Sequence, residues 1–276
     1  MKRVITGAVA LPLLILLVLK GGIFLFALFI VLLTVLGLGE FYRMALPERK
    51  IDGVVVSLAG GCIPLFLTLP ALAPGVVATQ AVPGLVMPLL TTLFVACALR
   101  VLFSFRDIRF AAGEVAFFVA GLLYVPLLLT HLLWLRALPH GIDWIFLLLV
   151  VVMSGDTAAY YVGSSLGKHK LYPVVSPNKS VEGAIGGLCG SIAGAFIVKA
   201  TFFPELSSGD CLAAALLMGP LGQVGDLFES LLKRSFGVKD SGVIIPGHGG
   251  VLDRLDSILF AAPAGYYYAV LFFMNR

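Results

Sequence analysis

Apolar runs long enough to cross a bilayer follow one another from one end of this chain to the other, which restricts the fold more than any motif does. A transmembrane helix needs about 17–25 predominantly apolar residues. We read nine such segments, at about 4–19, 22–42, 53–70, 83–103, 113–133, 143–163, 180–203, 211–233 and 255–274. Each reads as a helix, because a helix satisfies its own backbone hydrogen bonds in lipid. Barrel strands would instead alternate in polarity over about ten residues. Of the 276 residues, 60% are hydrophobic and 12% charged, against about 25% charged in a soluble domain. Such a chain cannot cover its apolar surface with a charged exterior. The expected fold is an all-α polytopic integral membrane protein. No stretch is long or polar enough for a separate soluble domain, so residues 1–276 read as one transmembrane domain. Within it, 1–140 is mainly membrane scaffold and 150–260 carries the polar motifs.

Met1-Lys2-Arg3 followed by Val4 to Leu19 has the charge order of a secretory signal. No small-residue cleavage site follows and further spans come at once, so the segment is expected to be the first span. Only Lys20-Gly21-Gly22 separates it from the second. With the N-terminus cytosolic, fifteen Lys and Arg fall in cytosolic connections, three (Lys20, Arg136, Arg276) fall opposite, and Lys199 lies within a span. That asymmetry obeys the positive-inside rule and puts the connections at about 164–180 and 234–254 on the cytosolic side. It also accounts for the net charge of +4. No basic tract is interleaved with aromatics, so no nucleic-acid partner is expected. Cys62, Cys97, Cys189 and Cys211 lie in or beside apolar runs without metal-binding spacing and read as small core residues.

Polar residues that interrupt so apolar a chain need a reason. In Gly225-Asp226-Leu227-Phe228-Glu229-Ser230-Leu231-Leu232-Lys233-Arg234, a helix brings Asp226, Glu229 or Ser230, and Lys233 to one face. Asp226 lies inside the span, where a lone carboxylate costs roughly 2.5–3.5 kcal/mol at the centre. It must face a cavity, a metal or a cation; an internal ion pair with Lys233 or Arg234 is the equally weighted alternative. Lys239-Asp240-Ser241-Gly242 then leads to Pro246-Gly247-His248-Gly249-Gly250 and Asp253-Arg254-Leu255-Asp256-Ser257. Glycines at 247, 249 and 250 let backbone N–H groups approach an anion, and His248 is placed to donate to a phosphate. Asp253, Asp256 and Ser257 share a face at the start of the last helix. Hard carboxylate oxygens of this kind suit Mg²⁺, while a helix start decorated with acids accounts for the two aspartates alone.

A second cluster lies upstream. Asp156-Thr157 falls in the sixth span, followed by Tyr160, Gly163, Gly167-Lys168-His169-Lys170, Ser176-Pro177-Asn178-Lys179-Ser180 and Glu182-Gly183. Ser180 is a helix cap, and the small residues from Gly183 to Gly194 suit close packing on a neighbouring helix. Gly163 to Lys168 does not make a P-loop, because the glycines are too close and no Ser or Thr follows the lysine. Glu40, Arg43, Arg100, Arg106 and Arg109 fit snorkelling or interfacial pairing. His131 and His140 have no partner at metal spacing, and the chain has no zinc-protease, hydrolase-elbow or dinucleotide motif.

Residues 230–256 contain Ser-x-x-Lys-Arg-x4-Lys-Asp-x-Gly and then Pro-x-His-Gly-Gly-x-x-Asp-Arg-x-Asp, which resembles the signature of the phosphatidate cytidylyltransferase family at every fixed position. Asp156-Thr157-Ala158-Ala159-Tyr160 and Ser176 to Gly183 also look like that family's upstream motifs. Asn178 and Val181 depart from its commoner Lys and Trp. The resemblance covers about 156–257; the N-terminal half is similar only in being apolar and helical. It implies transfer of a cytidylyl group from CTP to phosphatidic acid with release of pyrophosphate. It also implies a requirement for Mg²⁺, with a second cation as an option, and a homodimer of polytopic protomers. The family's metal-binding aspartates correspond to Asp226 and Asp253. Lys233, Arg234, Lys239 and His248 would hold lipid phosphate or departing pyrophosphate, with Asp240 and Arg254 in the same catalytic set. Lys179 and Glu182 would complete the nucleotide end, and Asp156, Ser176, Asn178, Glu229, Gly249, Gly250 and Asp256 complete the substrate-binding set. The rival readings are a CTP-dependent lipid kinase and, from another class, a secondary transporter; the transporter predicts a repeat symmetry that the two halves lack. The small size and the lack of a transit segment point to a bacterial inner membrane with the site facing the cytoplasm.

Overall fold

The computed structural model describes residues 2–68, 78–245, 247 and 249–275. They form two compact units, Met1–Ala137 with Ser241–Leu252, and Leu138–Asp240 with Asp253–Arg276.

The first unit holds α1 (Lys2–Lys20), α2 (Gly22–Ala45), α3 (Lys50–Thr68), α4 (Ala78–Leu102), α5 (Ile108–Leu122) and α6 (Leu128–Ala137). The break between α1 and α2 falls at the glycine pair: Gly21 N–H still closes on Leu17 O at 2.9 Å, and Gly22 then takes φ +61°, open to glycine at little cost. A wide π turn over Leu123–Leu127 joins α5 to α6. It contains Pro126, which has no N–H to give the regular ladder. The fifth expected span is thus one helical passage, Ile108–Ala137. Tyr42 on α2 fills the space left by Gly121 on α5, and its hydroxyl donates to Phe118 O at 2.8 Å. Phe24, Leu25, Leu28 and Leu32 leave α2 with an exposed apolar stripe of the kind that faces lipid.

Three of the basic residues expected at interfaces, Arg100, Arg106 and Arg109, are in ion pairs. Arg49, buried, reaches Asp52 at 2.8 Å and Glu114 at 2.7 Å; Asp52 also takes Arg100. Arg106 meets Glu48 at 3.1 Å and Arg109 meets Asp107 at 2.7 Å. Asp107 caps α5, and the Arg109 guanidinium beside it holds its carboxyl below the usual carboxylate range. Cys97 and Cys211 are buried as expected, whereas Cys62 and Cys189 face outward, where a small apolar thiol suits lipid as well as core.

The second unit holds α7 (Gly141–Leu166), a hairpin of β1 (Lys170–Tyr172) and β2 (Ser176–Ser180), α8 (Val181–Thr201), α9 (Ser208–Ser235) and α10 (Leu252–Tyr268), the last closing in a π turn over Ala269–Phe273. Lys170 pairs with Ser180 and Tyr172 with Ser176, with an irregularity between. Ser180 caps α8 by accepting from Gly183 N at 3.1 Å. The small residues after it form the face that packs on α7: side chains at Gly186 and Gly190 would run into Val162 and Ala158, and one at Gly194 into Ser154. Close backbone approach through glycine is a standard way to join helices in lipid, where no hydrophobic force drives them together. A capping box of Ser207 and Asp210 starts α9, and buried Asp210 also accepts from Tyr268 Oη at 2.5 Å.

Seven of the helical passages are long and apolar enough to span a bilayer. The apolar stretches Leu11–Lys20 of α1 and Met87–Leu102 of α4 are shorter over the described residues. The chain is an all-α polytopic membrane protein, apart from the hairpin.

Substituting Gly190 by alanine would set a Cβ 2.5 Å from Ala158 Cβ and 2.6 Å from Ser154 O. We expect Gly190→Ala to lower the detergent melting temperature, by an overpacking cost of about 1–3 kcal/mol. Gly113→Ala in α5, where nothing lies within 4 Å, is expected to leave it unchanged.

Candidate active site

A cavity of about 860 Å³ opens in the second unit, lined from α7, the hairpin, α8, α9 and α10. Its shape follows from the glycine contacts. Gly155 on α7 abuts Ser191 and Gly187 of α8, so the next residue, Asp156, turns to the cavity. On α9, Gly225 touches the Asp256 carbonyl of α10, which sets Asp226 within electrostatic reach of Asp256. Asp156 lines the cavity beside Ser257 and lies within electrostatic reach of Asp226. Three carboxylates from three helices, Asp156, Asp226 and Asp256, thus share one wall.

Their counter-charge is supplied by Lys179, which the hairpin carries to Asp226 at 2.8 Å. Asp226 also accepts from Ser230 Oγ at 3.5 Å, a weak contact. Lys233 is held differently: its ammonium bridges Glu229 and Asp253, each at 2.6 Å. Glu229 is fully buried under it, with Oε1 making no hydrogen bond. A lysine gripped by two carboxylates has a fixed direction and little freedom to follow a ligand.

Nine of the residues expected from sequence line this cavity: Asp156, Asn178, Lys179, Asp226, Lys233, Asp240, Asp253, Arg254 and Asp256. Others stand apart from it. Glu182 clasps the turn before the hairpin, accepting from Lys168 N at 3.1 Å, His169 N at 3.2 Å and His169 Nδ1 at 2.6 Å. Ser176 is in the strand pair, and Glu229 lies beneath Lys233. Arg234 is exposed and donates to Val238 O at 3.3 Å, and Lys239 is exposed. Gly249 and Gly250 belong to the first unit. Gly249 takes φ +83° and its carbonyl accepts from Ile245 N at 2.9 Å, while Gly250 abuts the Glu40 carboxylate. His248 lies outside the described residues. Gln223 is not among the residues expected from sequence. It lines the cavity from α9 and donates to Ala184 O at 3.1 Å. A lone amide within an apolar span was the available signal.

Five aspartates line the cavity against four basic residues, Lys170, Lys179, Lys233 and Arg254. Among the described residues no three acidic, His or Cys side chains converge closely enough to hold a metal unaided. Mg²⁺ needs no such cage, since it takes one or two carboxylates and completes its shell with phosphates and water. The hard-oxygen donors and the excess of acid fit that ion.

The model of the cytidylyltransferase family matches residues 1–272 of the chain. A Staphylococcus epidermidis phosphatidate cytidylyltransferase is 35% identical over 262 residues, covering 95% of each chain. That of Staphylococcus aureus is 34% identical over 262 residues, again 95% of each. The Bacillus subtilis protein of the same name is 43% identical over 164 residues, 59% of this chain and 61% of its own. With a match running almost end to end and relatives 34–35% identical over 95% of their length, this chain belongs to the cytidylyltransferase family.

Proposed function

We propose that the chain is a phosphatidate cytidylyltransferase of a bacterial inner membrane, joining CMP from CTP to phosphatidic acid to give CDP-diacylglycerol and pyrophosphate. The observation that carries this reading is the convergence of three sequence-distant motifs, around Asp156, Lys179 and Asp226 to Asp256, on one polar cavity of a membrane protein whose named relatives bear that activity. In the reaction, a phosphomonoester oxygen of the lipid attacks the α-phosphorus of CTP. A new P–O–P linkage forms, the α–β bond breaks, and its electron pair leaves with pyrophosphate. The attacking oxygen is already anionic, so no dedicated base is required. The protein's work is to hold two anions in line and to neutralise charge.

Lys179 and Arg254 would be cations for phosphate, beside Lys170 on the same lining, with Lys233 held in a fixed place between Glu229 and Asp253. Asp226 and Asp253 would hold Mg²⁺, with the wall of Asp156 and Asp256 beside Asp226 leaving room for a second cation. When bound, the ion would supply neutralisation of the phosphate charge. Homodimeric assembly is part of the same reading, on the family resemblance alone. So is a nine-span topology with a cytosolic N-terminus, which rests on the Lys and Arg asymmetry.

Purified protein given phosphatidic acid, α-labelled CTP and Mg²⁺ in detergent is expected to move label into the lipid, with one pyrophosphate released per lipid labelled. EDTA should abolish transfer. Asp226→Asn and Lys179→Ala should each lower turnover by about 100-fold, with an unchanged size-exclusion profile. Release of labelled CDP with phosphorylation of a lipid would establish the kinase reading instead.

Topology is open to a separate check. With Cys62 and Cys189 replaced by serine, a cysteine at Val174, which is 84% exposed, is expected to react with a membrane-impermeant maleimide only after cells are opened. Labelling in intact cells would overturn the orientation.

A further inference from the structure

Glu40 has no place in the chemistry above, and interfacial pairing does not describe it. Its side chain is fully buried near the end of α2, and among the described residues it forms no ion pair. Its two oxygens accept instead from Ser241 Oγ at 3.0 Å, Val251 N at 3.0 Å and Leu252 N at 2.8 Å. One carboxylate therefore grips both ends of the segment 241–252. Two of its three donors are backbone N–H groups at the first turn of α10, where a helix has unpaired donors and favours negative charge. Side chains at Gly242 and Gly250 would each run into the same carboxylate. The glycines bracketing the segment leave Glu40 its space; they do not need a bound phosphate to explain them.

Asp253 follows Leu252 by one peptide bond, and Asp240 precedes Ser241 by one. Both line the cavity. We propose that Glu40 is a positioning residue for the transfer reaction: by clamping the first turn of α10 it sets the direction in which Asp253 and Arg254 are presented. This rests on the function proposed above. A buried charge-assisted acceptor for two neighbouring amides holds helix rotation more firmly than packing alone, and small misplacements of catalytic groups are costly to rate.

The test compares Glu40→Gln, Ser241→Ala and Gly250→Ala with wild type by steady-state kinetics and by hydrogen exchange over 241–254. Glu40→Gln presents an amide donor where two N–H donors need acceptors. It is expected to lower kcat by about 10- to 100-fold while the KM for CTP stays within about threefold, and to speed exchange at Val251 and Leu252. Ser241→Ala removes one of the three bonds and keeps the carboxylate; it should fold as wild type and lose about 3- to 10-fold in kcat. A folded Glu40→Gln protein with wild-type kcat, or one changed only in KM, overturns the proposal. If Glu40→Gln does not fold, wild-type kcat in both Ser241→Ala and Gly250→Ala overturns it. Exchange rates test the clamp whatever the reaction, whereas a wild-type protein without cytidylyl transfer overturns the functional reading and the catalytic part of this one with it.

Discussion

Inside a protein solvated by lipid, a carboxylate must find a cation, a set of N–H donors or a wet cavity, because the bilayer offers it nothing. The acids carried by the helices of this chain take one or another of these exits. Asp52 lies between Arg49 and Arg100, and Asp210 serves a capping box and a tyrosine hydroxyl. Glu40 collects two amides and a serine. Asp156, Asp226 and Asp256 open onto the cavity. The first three are structural because their surroundings satisfy them. The last three have one direct ammonium between them, Lys179, and acids left with so little counter-charge are the ones available to a ligand.

The cavity in turn depends on how closely its helices approach. Gly155 against Gly187 and Gly225 against the Asp256 carbonyl bring α7, α8, α9 and α10 near enough for aspartates on separate helices to feel one another. Bulkier residues at these crossings would push the carboxylates apart. The glycines of α8 therefore belong to the site as much as to the fold, although none of them needs to touch substrate.

Local periodicity made much of this legible from sequence. The helical passages, the Ser180 cap and the small-residue face from Gly183 to Gly194 all follow from spacing within one segment. So does the Glu229 to Lys233 pair, which is an i,i+4 contact. The reading of Asp226 left a cavity and an ion pair open. The structure gives it both, but with Lys179 rather than Lys233 or Arg234 as its partner. That pairing joins a hairpin to a helix across 47 residues, and nothing in either local sequence announces it. Glu40 failed for the same reason on a longer scale, since its donors lie 201 to 212 residues away. Glu182 is expected at the nucleotide end from the family resemblance, and its contacts in the structure are the backbone of Lys168 and His169 and the His169 ring, 13 and 14 residues before it. A positive φ at Gly249 and a buried carboxylate against Gly250 give each glycine a conformational reason that local spacing does not show.

The electrostatics of the cavity bear directly on how an enzyme of this kind admits two anionic substrates. A pocket built for attraction alone would carry unpaired lysines and arginines. Here Lys233 is bound by Glu229 and Asp253, and Lys179 by Asp226. Each pairing gives up long-range pull in exchange for a fixed position, since an ammonium beside one carboxylate has little net field at a distance and one held by two adds no attraction for an anion. With aspartates outnumbering basic residues on the lining, the proposed reaction has the attraction for a nucleotide triphosphate arrive with its own divalent cation. The protein then contributes what a soluble ion cannot, a set of oxygens at defined places. Under the proposed reaction, affinity for CTP should therefore follow divalent-cation concentration more steeply than bulk ionic strength, because the charge that receives the phosphates is carried in by the metal rather than stored in the lining.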